Sequence, residues 1–336
     1  MKKKVLERVP NLKVIIATNI SEYMELSGFI VFLGKLLGKI PKGKVKPYPG
    51  KTVVQFKKVM EINPDVQDVS IDIKEDLAFL QYIGQTTGRP KGTELTHANI
   101  LSNLTQITEW LDLTPGEEVY QSAFPLFHLA GLIFAHLVVW QSFSQVLIPN
   151  PRDTNHFIEN WIHHKPSLIL NVPTLYVMPM NNPKSKEIPN DILDHVKIYG
   201  SGAAPFPEET IKEFEAHFQA EGKVLEVYGM TEASPILTMN PRYGKKKIGT
   251  VGLPVPDTEL RLVDVDTGEP LELGQAGEII VKGPQITRGY YKKLEANAKT
   301  FIDGWFHTGD VGVMDEDGYL KIVDRTKDML IVSGYK

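Results

Sequence analysis

Between about Asp76 and Met230, short apolar runs alternate with stretches of helical periodicity, and this alternation constrains the fold more than any other feature. LAFLQYI, from Leu77, reads as a strand that ends in a Gly/Thr/Pro-rich loop. Thr96 can then cap a helix whose apolar face is Ile100, Leu104, Ile107 and Leu111, spaced i, i+4, i+7, i+11. Further strands are predicted at 119–124, 145–148, 168–172, 196–199 and 224–228. Helical stretches lie between them, including PEETIKEFEAHF, which starts with Pro207 and two acids in its first turn. Repeated strand, helix, strand implies an α/β class: a layered α/β body with a mostly parallel sheet. After about Lys245 the period changes to two. ELRLVDVDTGEPLELGQAGEIIVKG and VGVMDEDGYLKIV carry Thr-Gly and Asp-Gly turns, the chemistry of antiparallel hairpins. A smaller antiparallel β-rich subdomain is therefore expected after the body.

Composition excludes several classes. The 336 residues are 42% hydrophobic and 23% charged, ordinary for a globular protein and unlike a disordered or fibrous chain. The absence of cysteine rules out a disulfide framework, thiolate zinc sites and a cysteine nucleophile. The longest apolar stretch, Leu129–Trp140, contains His136 and falls short of the roughly 20 residues that span a bilayer. Met1–Lys4 is followed by LERVPNLKV, which lacks the apolar core of a signal peptide, so the chain reads as cytoplasmic.

Charge is unevenly spread. Residues 1–60 hold 13 Lys and Arg against three acids (Glu7, Glu22 and Glu25), a difference of +10; the total of −4 leaves −14 to the rest. Within this basic end, LSGFIVFLGKLLGKI puts Phe29, Ile30, Leu33, Leu36, Leu37 and Ile40 on one helical face, with Lys35 and Lys39 offset and KGKVK following. Two readings stand. One is an interfacial amphipathic segment in peripheral contact with the inner face of a membrane through residues 26–46. The other is a helix packed on the body.

Five short segments could carry chemistry. YIGQTTGRPKG (Tyr82–Gly92) joins glycines, two threonines and a lysine after a strand, which suits a polyphosphate, although it lacks the G-x-x-x-x-G-K-[ST] register and equally fits a solvated turn. GSGAAP (Gly200–Pro205) is a near miss for G-x-G-x-x-G that either admits a flat ligand or simply turns a strand into a helix. YGMTE (Tyr228–Glu232) offers an aromatic face, a hydroxyl and a carboxylate within five residues, a set for a base, a phosphate and Mg²⁺. WFHTGD (Trp305–Asp310) ends in an acid that could bind sugar hydroxyls or cap its own turn. DRTKD, from Asp324, could be a solvated charge run.

Taken in order, YIGQTTGRPKG, FPLFHLAG, GSGAAP, VYGMTE, GWFHTGD and DRTKDMLIVSGYK resemble the adenylate-forming superfamily of acyl-CoA synthetases, luciferases and adenylation domains, and within it the long-chain fatty acid–CoA ligases. The likeness runs from KVIIATNI to SGYK. It implies that a fatty acid is activated with Mg²⁺ and ATP to acyl-AMP and then passed to CoA. It also implies site residues. Thr86, Thr87, Gly88 and Lys91 would hold the β- and γ-phosphates. Tyr228 and Gly229 would meet adenine on one side, with Gly202, Ala203 and Ala204 on the other. Thr231 would contact the α-phosphate, and Glu232 with Thr86 would bind Mg²⁺. Asp310 would take the ribose hydroxyls with Arg325 nearby, and Lys327 occupies a hinge position. His128, followed by Leu129, Ala130 and Gly131 rather than by an acid, would belong to an acyl site. The implied partners are small molecules, with no nucleic acid.

Two residues depart from the family pattern. Gln85 stands where a glycine is usual in the phosphate loop, and Val227 stands where a glycine often precedes the tyrosine. Relatives also continue past SGYK into a further domain that carries a lysine used in adenylation. The expectation is therefore a fragment of low activity: a partial N-terminal subdomain at 1–75, a nucleotide- and acyl-binding body at 76–244, the β-rich subdomain at 245–323 and a hinge at 324–336. The alternatives are a binding-only module that holds nucleotide or acyl-adenylate, and a ligase for aryl or short-chain acids.

Overall fold

The computed structural model of the chain describes residues 6–19, 26–40, 47–62, 64, 67–84 and 90–325, with the side chains of Asp324 and Arg325 outside that description. The chain divides into two units, 1–70 and 71–336.

In the first unit, β1 (Val14–Ala17) pairs in parallel with β2 (Thr52–Gln55), from Val14 opposite Thr52 to Ala17 opposite Gln55. Between them in sequence lies α1 (Gly28–Leu36), capped by Ser27, whose hydroxyl accepts from the Ile30 N–H at 3.4 Å. None of the α1 residues is buried: Phe29 is 73% exposed and Leu36 66%. The apolar face predicted to reach Ile40 stops short. Leu37 closes the helix and Gly38 turns at φ +69°, so the Ile40 N–H returns to the Gly34 carbonyl. There the Ile40 side chain occupies the room that a Cβ on Gly34 would need. Residues 41–46 of the same expectation lie outside the described residues. A short helix, α2 (Phe56–Met60), follows β2.

The second unit opens with a hairpin of β3 (Leu77–Ile83) and β4 (Lys91–Thr96), paired from Leu77 opposite Thr96 to Ile83 opposite Lys91. LAFLQYI is thus a strand, but its partner is KGTELT and not the parallel sheet. KGTELT has a single large apolar residue, Leu95, so the period-two signal that marks a half-buried strand is faint there. Thr96 and Asn99 form the capping box of α3 (His97–Leu111): each side chain accepts from the other residue's backbone N–H. The apolar stripe of α3 is buried as its spacing predicts.

From here strands and helices alternate: β5 (Val119–Ser122), α4 (Leu129–Trp140), β6 (Ser144–Leu147), α5 (Thr154–His164), β7 (Leu168–Asn171), α6 (Thr174–Met180), α7 (Asn190–His195), β8 (Ile198–Ser201), α8 (Glu208–Phe218) and β9 (Val224–Gly229). The strands β6, β5, β7, β8 and β9 lie side by side in parallel, and β10 (Ile236–Met239) and β11 (Leu253–Pro254) extend the sheet antiparallel beyond β9. Two apolar clusters cover it. Leu168, Leu170 and Leu225 pack with α3 and α4, while Ile169, Tyr199 and Val224 pack with α5 and α8 around Trp161 and Phe214. Alternate residues of one strand thus enter different clusters, as the two faces of a pleated strand require.

The last part is antiparallel throughout: β12 (Glu259–Val263), β13 (Ala276–Lys282), β14 (Phe301–Ile302), β15 (Trp305–Met314) and β16 (Leu320–Arg325), with α9 (Leu294–Thr300) before β14. Buried Asn99 on α3 donates to the Pro284 and Ile286 carbonyls, joining this sheet to the α/β body at 2.8 and 2.9 Å. The layered α/β body with a mostly parallel sheet and a smaller antiparallel subdomain is the observed architecture.

Candidate active site

A cavity of about 1040 Å³ opens where β8 and β9 end and the antiparallel sheet meets them. The carboxyl ends of parallel strands, where chains leave for opposite faces of a sheet, are where α/β proteins place ligands. Part of its lining is apolar, from Phe124, Phe127, Leu129, Phe134 and Leu170. Another part is polar, with Lys91, Thr231, Glu232, Glu278, His307, Thr308 and Asp310.

Each polar group is set by local chemistry. After β9 the chain must turn sharply. A Cβ on Gly229 would overlap the Pro235 carbonyl, so only glycine lets the strand end press against the returning chain. The turn continues as a short 3-10 segment, Thr231–Ala233, that carries Thr231 and Glu232 into the cavity. Glu232 is 8% exposed. Its Oε1 accepts from the Tyr290 hydroxyl at 2.6 Å, and its carbonyl accepts from the Thr287 N–H at 2.8 Å. Burial and the neighbouring Glu232 carboxylate push the Tyr290 phenol far above its ordinary range, so it stays a donor. Lys91, at the start of β4, holds its ammonium over the Tyr290 ring, 4.4 Å from the centroid.

The loop after β8 lies close against β9. A Cβ on Gly202 would stand 3.0 Å from the Val227 carbonyl oxygen, and Ala203 adopts a left-handed φ of +66° that non-glycine residues rarely hold. Asp310 on β15 accepts from the Tyr228 hydroxyl at 2.8 Å. The irregular stretch of β15 before it, where the register with β13 shifts, is braced by Glu278: Oε1 accepts from the Gly309 N–H at 3.1 Å, and Oε2 pairs with His307 Nδ1 at 3.0 Å. Gly309 turns at φ +74° to allow this.

The structure brings together Lys91, His128, Gly202, Ala203, Gly229, Thr231, Glu232 and Asp310 as lining residues. Tyr228 is buried behind them and reaches the site through its bond to Asp310, while Ala204 is exposed outside the lining. His128 caps α4, its Nδ1 accepting from the Ala130 N–H at 3.3 Å, and its ring stacks on Phe124. Thr86, Thr87, Gly88 and Gln85 lie outside the described residues, as do Lys327 and the side chain of Arg325. Sequence reasoning missed Tyr290, Glu278, His307 and Gln81, whose amide donates to the Phe127 carbonyl at 3.0 Å. His307 sat inside a motif already singled out; Tyr290, in TRGYY, has no local signal.

No cluster of three or more His, Cys, Asp or Glu side chains suited to a metal occurs among the described residues. Mg²⁺ needs none when a nucleotide supplies phosphate oxygens, because one or two carboxylates complete its shell. A buried glutamate with one oxygen already fixed by a tyrosine is a donor set that fits this demand.

Residues 35–291 match the AMP-binding enzyme family. The chain belongs to that family. Among curated relatives of this AMP-binding enzyme, a long-chain-fatty-acid–CoA ligase from Salmonella typhimurium is 36% identical over 337 residues, covering 99% of this chain and 58% of the relative. One from Bacillus subtilis is 40% identical over 269 residues, covering 79% of this chain and 47% of the relative. The chain thus spans about half the length of these two proteins. In structure it is similar to ATP-bound MatB from Rhodopseudomonas palustris, with TM-score 0.79, 28% identity and coverage of 99% of this chain and 62% of the other. It is likewise similar to a long-chain-fatty-acid–CoA ligase from Archaeoglobus fulgidus, with TM-score 0.74, 26% identity and coverage of 97% and 66%. The sequence resemblance to adenylate-forming enzymes is therefore borne out.

Proposed function

We propose that this AMP-binding enzyme carries the nucleotide and acyl sites of an AMP-forming acid–thiol ligase acting on a long-chain fatty acid. The observation that supports this most is the cavity itself, whose lining joins apolar side chains such as Phe124, Phe134 and Leu170 with Lys91, Thr231, Glu232 and Asp310. A fatty acid needs the first surface and ATP the second. In the proposed reaction the carboxylate attacks the α-phosphate of ATP, releasing pyrophosphate and leaving acyl-AMP; the CoA thiol then displaces AMP to give acyl-CoA.

The residues have separate tasks in this scheme. Two anions must meet, so the site has to supply positive charge and fixed donors, which are the tasks of Lys91 and Thr231 and, by resemblance, of Thr86, Thr87 and Gly88. No general base is required, because the fatty acid is already ionised at neutral pH. Asp310 would take the ribose hydroxyls, held in place by Tyr228, with Arg325 beside it. Gly202, Ala203 and Gly229 would let adenine lie close to the backbone. Glu232 would hold Mg²⁺, which spreads the phosphate charge when bound.

An ATP–pyrophosphate exchange assay with acids of increasing chain length tests this reading. Weak exchange is expected, in keeping with a fragment of low activity, and it should rise with chain length and strengthen when the family's further domain is supplied; exchange with aryl acids alone would favour the aryl reading. A feruloyl-CoA synthase from Amycolatopsis, 34% identical over 261 residues, supports the latter. ATP binding without exchange for any acid would leave a binding-only module.

The exposed apolar side chains of α1, together with the local excess of lysine, support a second partner: a bilayer with anionic lipid, met peripherally. No helix among the described residues is long and apolar enough to cross a membrane. Liposome flotation should show binding that grows with anionic lipid; binding independent of lipid composition, or none, would overturn it.

A further inference from the structure

Tyr290 belongs to none of the motifs singled out in the sequence, yet it touches two of the charged groups in the cavity. Its hydroxyl donates to Glu232 Oε1 at 2.6 Å, and the Lys91 ammonium lies 4.4 Å from its ring centroid. The tyrosine is 5% exposed, so this contact is shielded from water, where a hydrogen bond to a carboxylate is strong.

Its seat is rigid and comes from two directions. The Tyr290 N–H donates to Asn297 Oδ1 at 2.8 Å, and Asn297 Nδ2 returns to the Tyr290 carbonyl at 3.2 Å, fixing the residue to α9. On the other side Tyr290 bridges Thr93, and the Tyr291 N–H donates to the Gly92 carbonyl at 2.8 Å, fixing it to β4 immediately after Lys91. The ring therefore stands between the strand that carries the lysine and the turn that carries the glutamate. A tyrosine needed only to fill space would not require both a carboxylate on its hydroxyl and an ammonium on its face.

Resting on the nucleotide reading above, we propose that Tyr290 is a positioning residue for the charged end of MgATP. Its hydroxyl fixes the Glu232 carboxylate through one oxygen and leaves the other to the cation. Its ring seats the Lys91 ammonium beside that carboxylate. Two groups of opposite charge are thereby both held by one side chain before the ligand arrives, which lowers the ordering cost of binding. The two contacts are separable by substitution. Tyr290→Phe keeps the ring and removes the hydroxyl; Tyr290→Leu removes both.

The test is calorimetric titration of the full chain with ATP, once with Mg²⁺ and once with EDTA, with the melting temperature of each variant measured alongside. Wild type should bind more tightly with Mg²⁺. Tyr290→Phe should lose about tenfold in the Mg²⁺ titration, the size typical of groups that orient metal ligands, and stay within about twofold in EDTA. Tyr290→Leu should weaken both titrations. Should Tyr290→Phe fail to fold, Asn297→Ser loosens the seat while keeping hydroxyl and ring, and the same Mg²⁺-selective loss is expected of it in smaller measure. Equal losses with and without Mg²⁺, or no loss in either, would overturn the positioning role. Wild type that binds ATP in neither buffer would overturn the nucleotide reading itself, a result distinct from the first.

Discussion

Tyr228 and Asp310, 82 residues apart in sequence, are joined by a hydrogen bond of 2.8 Å from hydroxyl to carboxylate, linking the last strand of the parallel run to the antiparallel sheet. The bond holds one Asp310 oxygen at the cavity wall. Asp310→Ala should raise the Kd for ATP at least about tenfold, a loss of roughly 1.4 kcal/mol. Tyr228→Phe, which removes one hydrogen bond to a charged group, should raise it about threefold or more. Calorimetry reads both; an unchanged affinity in Asp310→Ala would remove Asp310 from the nucleotide site.

Glu226 sits on β9, buried, with Oε2 accepting from the Gly249 N–H at 2.9 Å. Burial is the largest cause that pushes its carboxyl up to about 7, the Gly249 donor opposes the rise and nearby Glu208 adds to it. A folded value above the unfolded one means that the native state binds the proton more tightly. The stabilisation is complete below the unfolded value near 4.5 and is lost as pH rises through about 7. Glu226→Gln should therefore flatten the stability profile between those limits. It should be more stable than wild type at pH 8, by at most about 3 kcal/mol. Urea titrations at pH 5 and pH 8 decide this, and parallel profiles for the two proteins would contradict it.

Glu118 is buried at the mouth of β5, where its Oε1 accepts from Lys197 at 2.7 Å and its Oε2 from the Ser167 hydroxyl at 2.5 Å. Lys197→Met leaves that carboxylate with a hydroxyl alone. Because the lysine is itself partly exposed, the expected loss is about 2 kcal/mol, below the range for a fully buried pair. The double variant with Glu118→Gln should recover part of it. Chemical denaturation in which the double variant loses the sum of what Lys197→Met and Glu118→Gln lose singly would show the pair to be uncoupled.

Gly229→Ala should cost about 1–3 kcal/mol, since the new methyl would meet the Pro235 carbonyl and backbone cannot yield as a flexible side chain can. It should also weaken ATP binding, because relief of the clash moves the turn that carries Thr231 and Glu232. A variant with native melting temperature and native affinity would mean that the turn relaxes freely.

Much of the fold was legible locally. The Thr96 cap, the Ile100–Leu111 stripe of α3 and the acid-rich start of α8 are each written within a dozen residues, and the structure follows them. KGTELT was missed because one leucine among polar residues gives no period, and its burial comes from pairing with LAFLQYI. The amphipathic stretch before Ile40 was read too long, because Gly38 ends it through a backbone angle that side-chain periodicity does not register. In the site, Lys91, Thr231, Glu232 and Asp310 could be named from their motifs, whereas Tyr290 could not, since glycine and tyrosine after an arginine are unremarkable in a β-rich segment.

The sequence by itself determined the alternation of elements, the change to hairpin chemistry after Lys245 and the order of the motifs, because caps, turns and hydrophobic period act over a few residues. Only the tertiary structure decided which groups meet. Glu232 and Tyr290 are 58 residues apart, and Glu278 reaches Gly309 across 31. Such contacts depend on strand register and on the angle at which two sheets abut. Those are properties of the packed chain, and no short window of sequence contains them.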